Sequence, residues 1–237
     1  MYKEYAKIYD LIYSDKDYKK EARKVINLVK KYKKSDGKEL LEVACGTGKH
    51  LEYFRKNFHV TGLDINAQML KIAKKRLHNI SLIRGDMINF NLNKKFDVIL
   101  CLFSSIGYVK TYENLEKTIR NFSKHLKKNG IVIIDPWFTK SSYKVGFPHL
   151  KIYSDDKIKI ARAAISKRID NISILDFHFL VAEKNKEVKH FVDRHELGLF
   201  EDSKVLQIME QSGLKTKFLK KGLRKGRPLF IGLKQKS

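Results

Sequence analysis

The segment Glu42-Val43-Ala44-Cys45-Gly46-Thr47-Gly48 carries two glycines one residue apart, directly after an apolar run and before a helical pattern. Glycines so placed let a backbone turn sharply and pass close to a ligand. A dinucleotide loop asks for a third glycine three positions further on; Leu51 stands there, which disfavours NAD. A phosphate-cradling P-loop is excluded as well. Lys49 follows Gly48, but His50 replaces the hydroxyl residue that would hold Mg²⁺. Two carboxylates extend the pattern. Asp64 closes the next apolar run, where an acid can accept two hydrogen bonds from a ribose diol. Asp86, in Gly85-Asp86-Met87, follows a third run and can accept from an adenine amino group. Each alone reads equally well as a cap or a turn residue. Together, at the ends of successive strands, they outline one crevice.

The elements that must hold these residues are legible from periodicity. Lys19–Tyr32 has apolar residues at Ala22, Val25, Ile26 and Val29, the spacing of an amphipathic helix. Strands are expected at Leu40–Ala44, His59–Leu63, Ile80–Arg84, Phe96–Leu102 and Ile131–Ile134, the last entered through a turn at Asn129-Gly130. Helices fall between them at Lys49–Asn57, Ala67–Leu77 and Tyr112–Leu126. Continuous Val/Ile/Leu strands alternating with helices imply an α/β fold with a parallel sheet covered on both faces. From about Leu150 to Phe200 the period drops to two, over Ile158–Ile165, Ser173–Val181 and Val188–Leu199, as in an antiparallel meander. A helix over Asp202–Ser212 and strands at Thr216–Leu219 and Leu229–Leu233 close the chain. The expected division is one domain from 1–147 and 200–237, with 148–199 inserted as an antiparallel region for substrate or dimer contacts.

The 237 residues suffice for one well-buried core. No run of about 18 apolar residues suggests a membrane span, and Met1–Tyr5 lacks the apolar region of a signal peptide. Cys45 and Cys101 lie inside core segments, which suits a cytoplasmic, reduced protein. No Cys/His/carboxylate spacing marks a metal site. Lysine and arginine number 50 against 26 acidic residues, a formal charge of +24. Such a charge could steer nucleic acid, but the lysines are spread along the chain and no RNA-binding signature accompanies them.

The order E-x-A-C-G-T-G, G-L-D, G-D-M resembles the class I S-adenosylmethionine-dependent methyltransferases, which implies a Rossmann-like sheet with helices on both faces. The resemblance places Ala44, Cys45, Gly46, Gly48, Asp64, Ile65, Asp86 and Met87 around S-adenosyl-L-methionine. A closer similarity runs through Ala6–Asp10, Lys16–Tyr18, Phe103–Tyr108, Asp135–Phe138 and Gly226–Gly232. These segments look like the N-methyltransferases that act on dTDP-linked aminodeoxysugars, although Phe103–Gly107 and Pro136-Trp137 recur in glycine N-methyltransferase-like proteins. That resemblance implies that Tyr18 contacts the cofactor and Leu102 packs on it. It sets Tyr13 and Tyr108 beside an acceptor amine and Arg227 against a sugar nucleotide. Pro228 stands where those enzymes usually have glycine.

A tyrosine hydroxyl can orient an amine, although with an ordinary pKa of about 10 it is a weak base at neutral pH; the same two tyrosines could equally cap an apolar entrance. Trp137 reads either as a wall of the acceptor site or as core. His190 and His195 align with a histidine-containing segment of the relatives, facing the acceptor or serving structure and dimer contacts. His50 and His59 read as ordinary helix and strand-edge residues. The expected partner is a small-molecule amine, in a monomer or a homodimer. The alternatives are an RNA or protein methyltransferase, and a cofactor-binding subunit that supports a catalytic partner.

Overall fold

The computed structural model describes residues 2–235. Met1, the side chains of residues 2–5 and residues 236–237 lie outside the described residues, and with them the reading of Met1–Tyr5 as free of a signal peptide. Two helices, α1 (Tyr2–Ile12) and α2 (Tyr18–Tyr32), lead into β1 (Glu39–Val43), α3 (Leu51–Phe54), β2 (His59–Asp64), α4 (Ala67–Arg76) and β3 (Ser81–Arg84). There follow β4 (Phe96–Cys101), a 3-10 turn over Ser105–Val109, α5 (Tyr112–His125) and β5 (Leu126–Ile134). Four strands come next: β6 (Pro148–Ser154), β7 (Ile158–Ile169), β8 (Ile172–Glu183) and β9 (Lys189–Gly198). The chain ends with α6 (Asp202–Gln211), β10 (Leu214–Leu219) and β11 (Leu229–Lys234).

Seven strands form one sheet in the order β10-β11-β5-β4-β1-β2-β3. β1 to β5 are parallel, and β11 and β10 join as antiparallel neighbours. Because side chains alternate across a strand, Val98 and Leu100 face one side of β4 and Ile99 and Cys101 the other, all fully buried. The first side packs on Ala22, Val25 and Val29 of α2. The second packs on Leu115, Ile119 and Phe122 of α5 and on Ile208 and Met209 of α6. The chain runs outward from β1 to β2 and β3, then back across to β4. A crevice therefore opens at the carboxyl ends of β1 and β4, where open α/β sheets bind ligands.

The four strands β6-β7-β8-β9 make a separate antiparallel meander. Its inner face carries Ile160, Ala164, Leu175, Phe177, Phe179 and Val181, which pack with Ala6, Ile8 and Ile12 of α1 and Met69 of α4. Burying one such side chain contributes about 1.5–3 kcal/mol, so α1 is fixed as a layer between the meander and α4. Its outer face exposes Leu150, Ile152, Ile165 and Leu180.

The largest departures from the sequence expectation fall in β5, α3, the meander and α1. The turn at Asn129-Gly130 is a bulge inside β5: Leu126 already pairs with Phe96, and Asn129 adopts φ 62° before the pairing resumes at Ile131. The helix expected over Lys49–Asn57 shortens to α3 and ends in turns around Arg55–Asn57. The meander gains β6 at its start, while α1 had no counterpart in the periodicity.

Candidate functional site

The glycine loop follows β1 directly. Ala44, Gly46 and Gly48 all take left-handed backbone, with φ of 55°, 55° and 75°. A Cβ on Gly46 would meet nothing within 4 Å because it would point into the crevice, whereas one on Gly48 would lie 2.6 Å from Leu77 Cδ1. Gly46 thus leaves room for a ligand, and Gly48 lets the loop close onto α4 and its exit. Ala44 pays about 1–3 kcal/mol for the same conformation. The loop is held from below: Cys45 N–H donates to Leu63 O at 3.0 Å, and Gly46 N–H donates to Asp64 Oδ2 at 2.7 Å. Asn66 N–H donates to Asp64 Oδ1 at 2.8 Å. Burial nonetheless raises the Asp64 pKa above the usual aspartate value, the two amide bonds working against it. From α1, Asp10 accepts a hydrogen bond from Thr47 Oγ1 at 2.6 Å and an ion pair from Arg76, whose guanidinium also donates to Thr47 O.

An open cleft lies above this loop. Tyr9, Tyr18, Glu42, Ala44, Cys45 and Gly46 line it from the loop side, with Leu102, Phe103 and Ser105 opposite. Glu42 Oε2 is buried without a partner. An orphaned carboxylate oxygen beside the loop suits a cationic ammonium, and the open space above Gly46 suits a close backbone approach. The residues present therefore fit the methionyl end of S-adenosylmethionine. Ile65, next to Asp64, is 61% exposed, an apolar side chain standing at the rim. Asp86 and Met87 lie further along: Asp86 Oδ1 accepts from Ile88 N at 2.9 Å, and Met87 packs against the α5 side of the core. Of the residues expected around the cofactor, Tyr18, Ala44, Cys45, Gly46 and Leu102 meet in the cleft, and Gly48 supports it from behind. Burial pushes the Cys45 and Cys101 thiols up, which leaves them packing groups rather than nucleophiles.

His50 corrects its sequence reading as an ordinary helix residue. It is buried, with Nε2 2.9 Å from Glu21 Oε2 and Nδ1 3.2 Å from Glu42 Oε1. Two carboxylates at two ring nitrogens call for two N–H donors, the imidazolium form. Burial alone would lower the His50 pKa, but the bonds to Glu21 and Glu42 raise it. Burial opposes the Glu21 carboxylate too, yet hydrogen bonds from His50 and Lys16 hold it down to about 2. Lys16 completes the row by pairing with Glu21 and lying over the Tyr18 ring at 4.1 Å. His59 is an exposed residue at the start of β2, as its sequence reading has it.

The residues expected beside the acceptor lie between the β4–β5 ends and the meander. Phe103 and Ser104 both take left-handed backbone (φ 54° and 64°), and Ser104 N–H donates to Asp135 O at 3.1 Å. Tyr13 stands edge-on to Phe103 at 5.2 Å and accepts from Arg162 Nη1 at 2.8 Å. Tyr108 lies 2.5 Å from His195 Nδ1. Trp137 donates to Ser173 Oγ at 2.8 Å and lines a small apolar hollow with Ile106, Pro136 and Phe230, so it packs as core on that side. On its other side the Arg227 guanidinium lies 4.9 Å from the Trp137 ring centre and 3.3 Å from that of Phe138. Arg227 Nη1 is buried without a partner. Burial, with the charge of Arg224 adding, lowers the Arg227 pKa to about 10.

Sequence reasoning missed Arg224, which bonds Ser104 Oγ at 2.6 Å and Asp135 Oδ2 at 2.9 Å. It also missed Arg162, and here a signal was present. Ile160, Arg162 and Ala164 alternate on one strand face, and both flanking residues are buried apolar.

Residues 40–130 match the family model described as a methyltransferase domain. The whole chain is 38% identical to the dTDP-3-amino-3,4,6-trideoxy-alpha-D-glucopyranose N,N-dimethyltransferase of Streptomyces venezuelae, covering 97% of this chain and 98% of that one. The crystal structure of Streptomyces venezuelae DesVI superimposes with a TM-score of 0.90 at 37% identity, over 96% of this chain and 97% of the other. The SAM-bound structure of CalS10, an amino pentose methyltransferase from Micromonospora echinaspora, gives 0.84 at 27% identity, over 93% and 92%. The parallel sheet with its antiparallel edge and the glycine-loop cleft are those of a class I methyltransferase that uses S-adenosylmethionine. Within that class, the chain belongs to the family of the dTDP-aminosugar N,N-dimethyltransferases.

Proposed function

We propose that the protein methylates the amino group of a nucleotide-linked aminodeoxysugar. The observation that carries this reading is the similarity to a dTDP-aminosugar N,N-dimethyltransferase along essentially the full length of both chains. The acceptor side supports it. Arg227 offers an unpartnered buried N–H group beside aromatic rings, and a guanidinium suits a phosphate. When bound, S-adenosylmethionine supplies a methyl group activated by its sulfonium charge. The protein's part is alignment and exclusion of water, which supply much of the catalysis in such a displacement. Asp64, Ile65, Asp86 and Met87 would hold the adenosyl end, and Tyr18, the glycine loop and Leu102 the methionyl end. Tyr13 and Tyr108 would orient the acceptor nitrogen, with Trp137, His195 and Arg227 on the sugar-nucleotide side.

The meander, residues 148–199, would serve as the substrate and dimer region beside the cofactor-binding domain of 1–147 and 200–237. Its outer face carries an exposed apolar patch, with Leu150 and Ile152 of β6 beside Ala163 and Ala161 of β7 and Leu180 of β8. A face of this kind marks an interaction site, and a second copy is the occupant proposed. Among the described residues no helix is long and apolar enough to cross a membrane. Cys45 and Cys101 are free and buried, which suits a reducing cytoplasm.

The test is incubation of the purified protein with isotopically labelled S-adenosylmethionine and a panel of dTDP-aminosugars. Label on the sugar nitrogen, located by mass spectrometry, is the expected result. Label on tRNA or protein with none on any aminosugar would defeat the proposal.

A further inference from the structure

Tyr108, His195 and Asp193 form a continuous row. The Tyr108 hydroxyl lies 2.5 Å from His195 Nδ1, and His195 Nε2 lies 2.9 Å from Asp193 Oδ2. Asp193 and His195 sit two residues apart on β9, so their side chains share one face of the meander. That face is the largely apolar inner one, which also carries Arg162, and Asp193 is 3% exposed there. A carboxylate buried among apolar residues is costly unless it is paired. Phe177, its cross-strand neighbour, holds the His195 ring edge-on at 5.0 Å. At the other end Tyr108 is 45% exposed, on the 3-10 turn that leads away from Phe103 and Ser105 of the cofactor cleft.

The donors and acceptors in this row can be assigned. An ionised carboxylate only accepts, so His195 Nε2 must carry a proton toward Asp193. In the neutral imidazole Nδ1 is then the acceptor, and the Tyr108 hydroxyl donates to it. We propose that the row is a proton relay, in which Asp193 is a positioning residue that fixes the His195 tautomer able to take the Tyr108 proton. This rests on the reading of the protein as an amine methyltransferase with Tyr108 at the acceptor nitrogen.

The steps balance. An acceptor arriving as an ammonium gives one proton to Tyr108 Oη while the Tyr108 hydroxyl proton passes to His195 Nδ1. The amine regains its lone pair and Tyr108 stays neutral. His195 becomes an imidazolium whose charge faces Asp193. The proton then returns through Tyr108 to solvent at the exposed rim. A tyrosine by itself is a poor base at neutral pH; with His195 behind it, the group that finally holds the proton is an imidazole.

A purely structural clip would hold the same tautomer, so the tautomer is a condition the relay must meet and kcat decides between the two roles. The test therefore begins with the intact protein. Nitrogen-15 NMR of the histidine side chains should place the proton of neutral His195 on Nε2; a proton on Nδ1 overturns the relay. This measurement stands whether or not an aminosugar is the substrate, so inactivity toward every aminosugar would defeat the functional reading separately. With an active wild type, Asp193→Asn should lower kcat about tenfold to a hundredfold, with KM for both substrates within about twofold. An unchanged kcat in a folded Asp193→Asn protein overturns the relay.

Discussion

His50 Nδ1 lies 3.2 Å from Glu42 Oε1, and this contact ties the start of α3 to the carboxylate beside the glycine loop. The other ring nitrogen reaches Glu21 of α2, so one imidazolium braces the cofactor cleft from two elements.

Glu21→Gln is expected to destabilise the protein by ~3 kcal/mol near neutral pH, because it leaves Lys16 and His50 without their shared carboxylate. The folded Glu21 carboxylate titrates at about 2 against 4.5 when unperturbed. Its contribution is therefore complete above 4.5 and is lost as pH falls through about 2. The His50 pKa is raised from 6.5, so its contribution is present below 6.5 and is lost as pH rises through the raised value. Thermal melts of variant and wild type should differ most between these limits and converge in acid. A constant gap down to about pH 2 would contradict the assignment.

Asp64 holds the loop as well as the proposed ribose site, because its two oxygens accept from Gly46 and Asn66. Asp64→Ala should weaken S-adenosylmethionine binding by a hundredfold or more, about 2.7 kcal/mol. Calorimetry that returns wild-type affinity would undo the cofactor placement.

Tyr13→Phe removes the hydroxyl that accepts from Arg162 and leaves the ring against Phe103. Cofactor affinity should stay within about twofold while kcat with an aminosugar substrate falls roughly tenfold. Loss of cofactor binding instead would move Tyr13 to the other side of the site.

Leu180 is 52% exposed on the outer face of the meander. If that face joins two copies, Leu180→Asp should place a charge in an apolar interface and shift the protein to monomers. Light scattering coupled to gel filtration measures this directly. A wild type that is monomeric throughout would remove the dimer.

The parallel sheet was legible because strands buried on both faces must be almost wholly Val, Ile and Leu, as Val98–Leu100 are. The bulge in β5 was not: Asn129-Gly130 has the composition of a turn, and only the pairing of Leu126 with Phe96 keeps that stretch in the sheet. α1 escaped notice because its apolar residues cover strands far along the chain rather than a neighbouring element. The glycine loop and Asp64 were readable from local spacing. The roles of His50 and Arg224 depend on partners brought in from other elements, Glu21 and Asp135, which no local pattern announces. Arg162 sat at an inward strand position and could have been found by asking why an arginine stood there.

The Asp10–Thr47–Arg76 clasp has a consequence for how the molecule is made. α1 leaves the ribosome well before β7 and β8, the strands that cover its apolar side. Tyr13 and Arg162 are 149 positions apart in the chain. Contacts of such separation form slowly, because the intervening loop must close before they are rewarded. The glycine loop can thus be shaped early, but the arm that latches it finds its full support only after the meander has emerged, so competence to bind the methyl donor should arise late in biosynthesis.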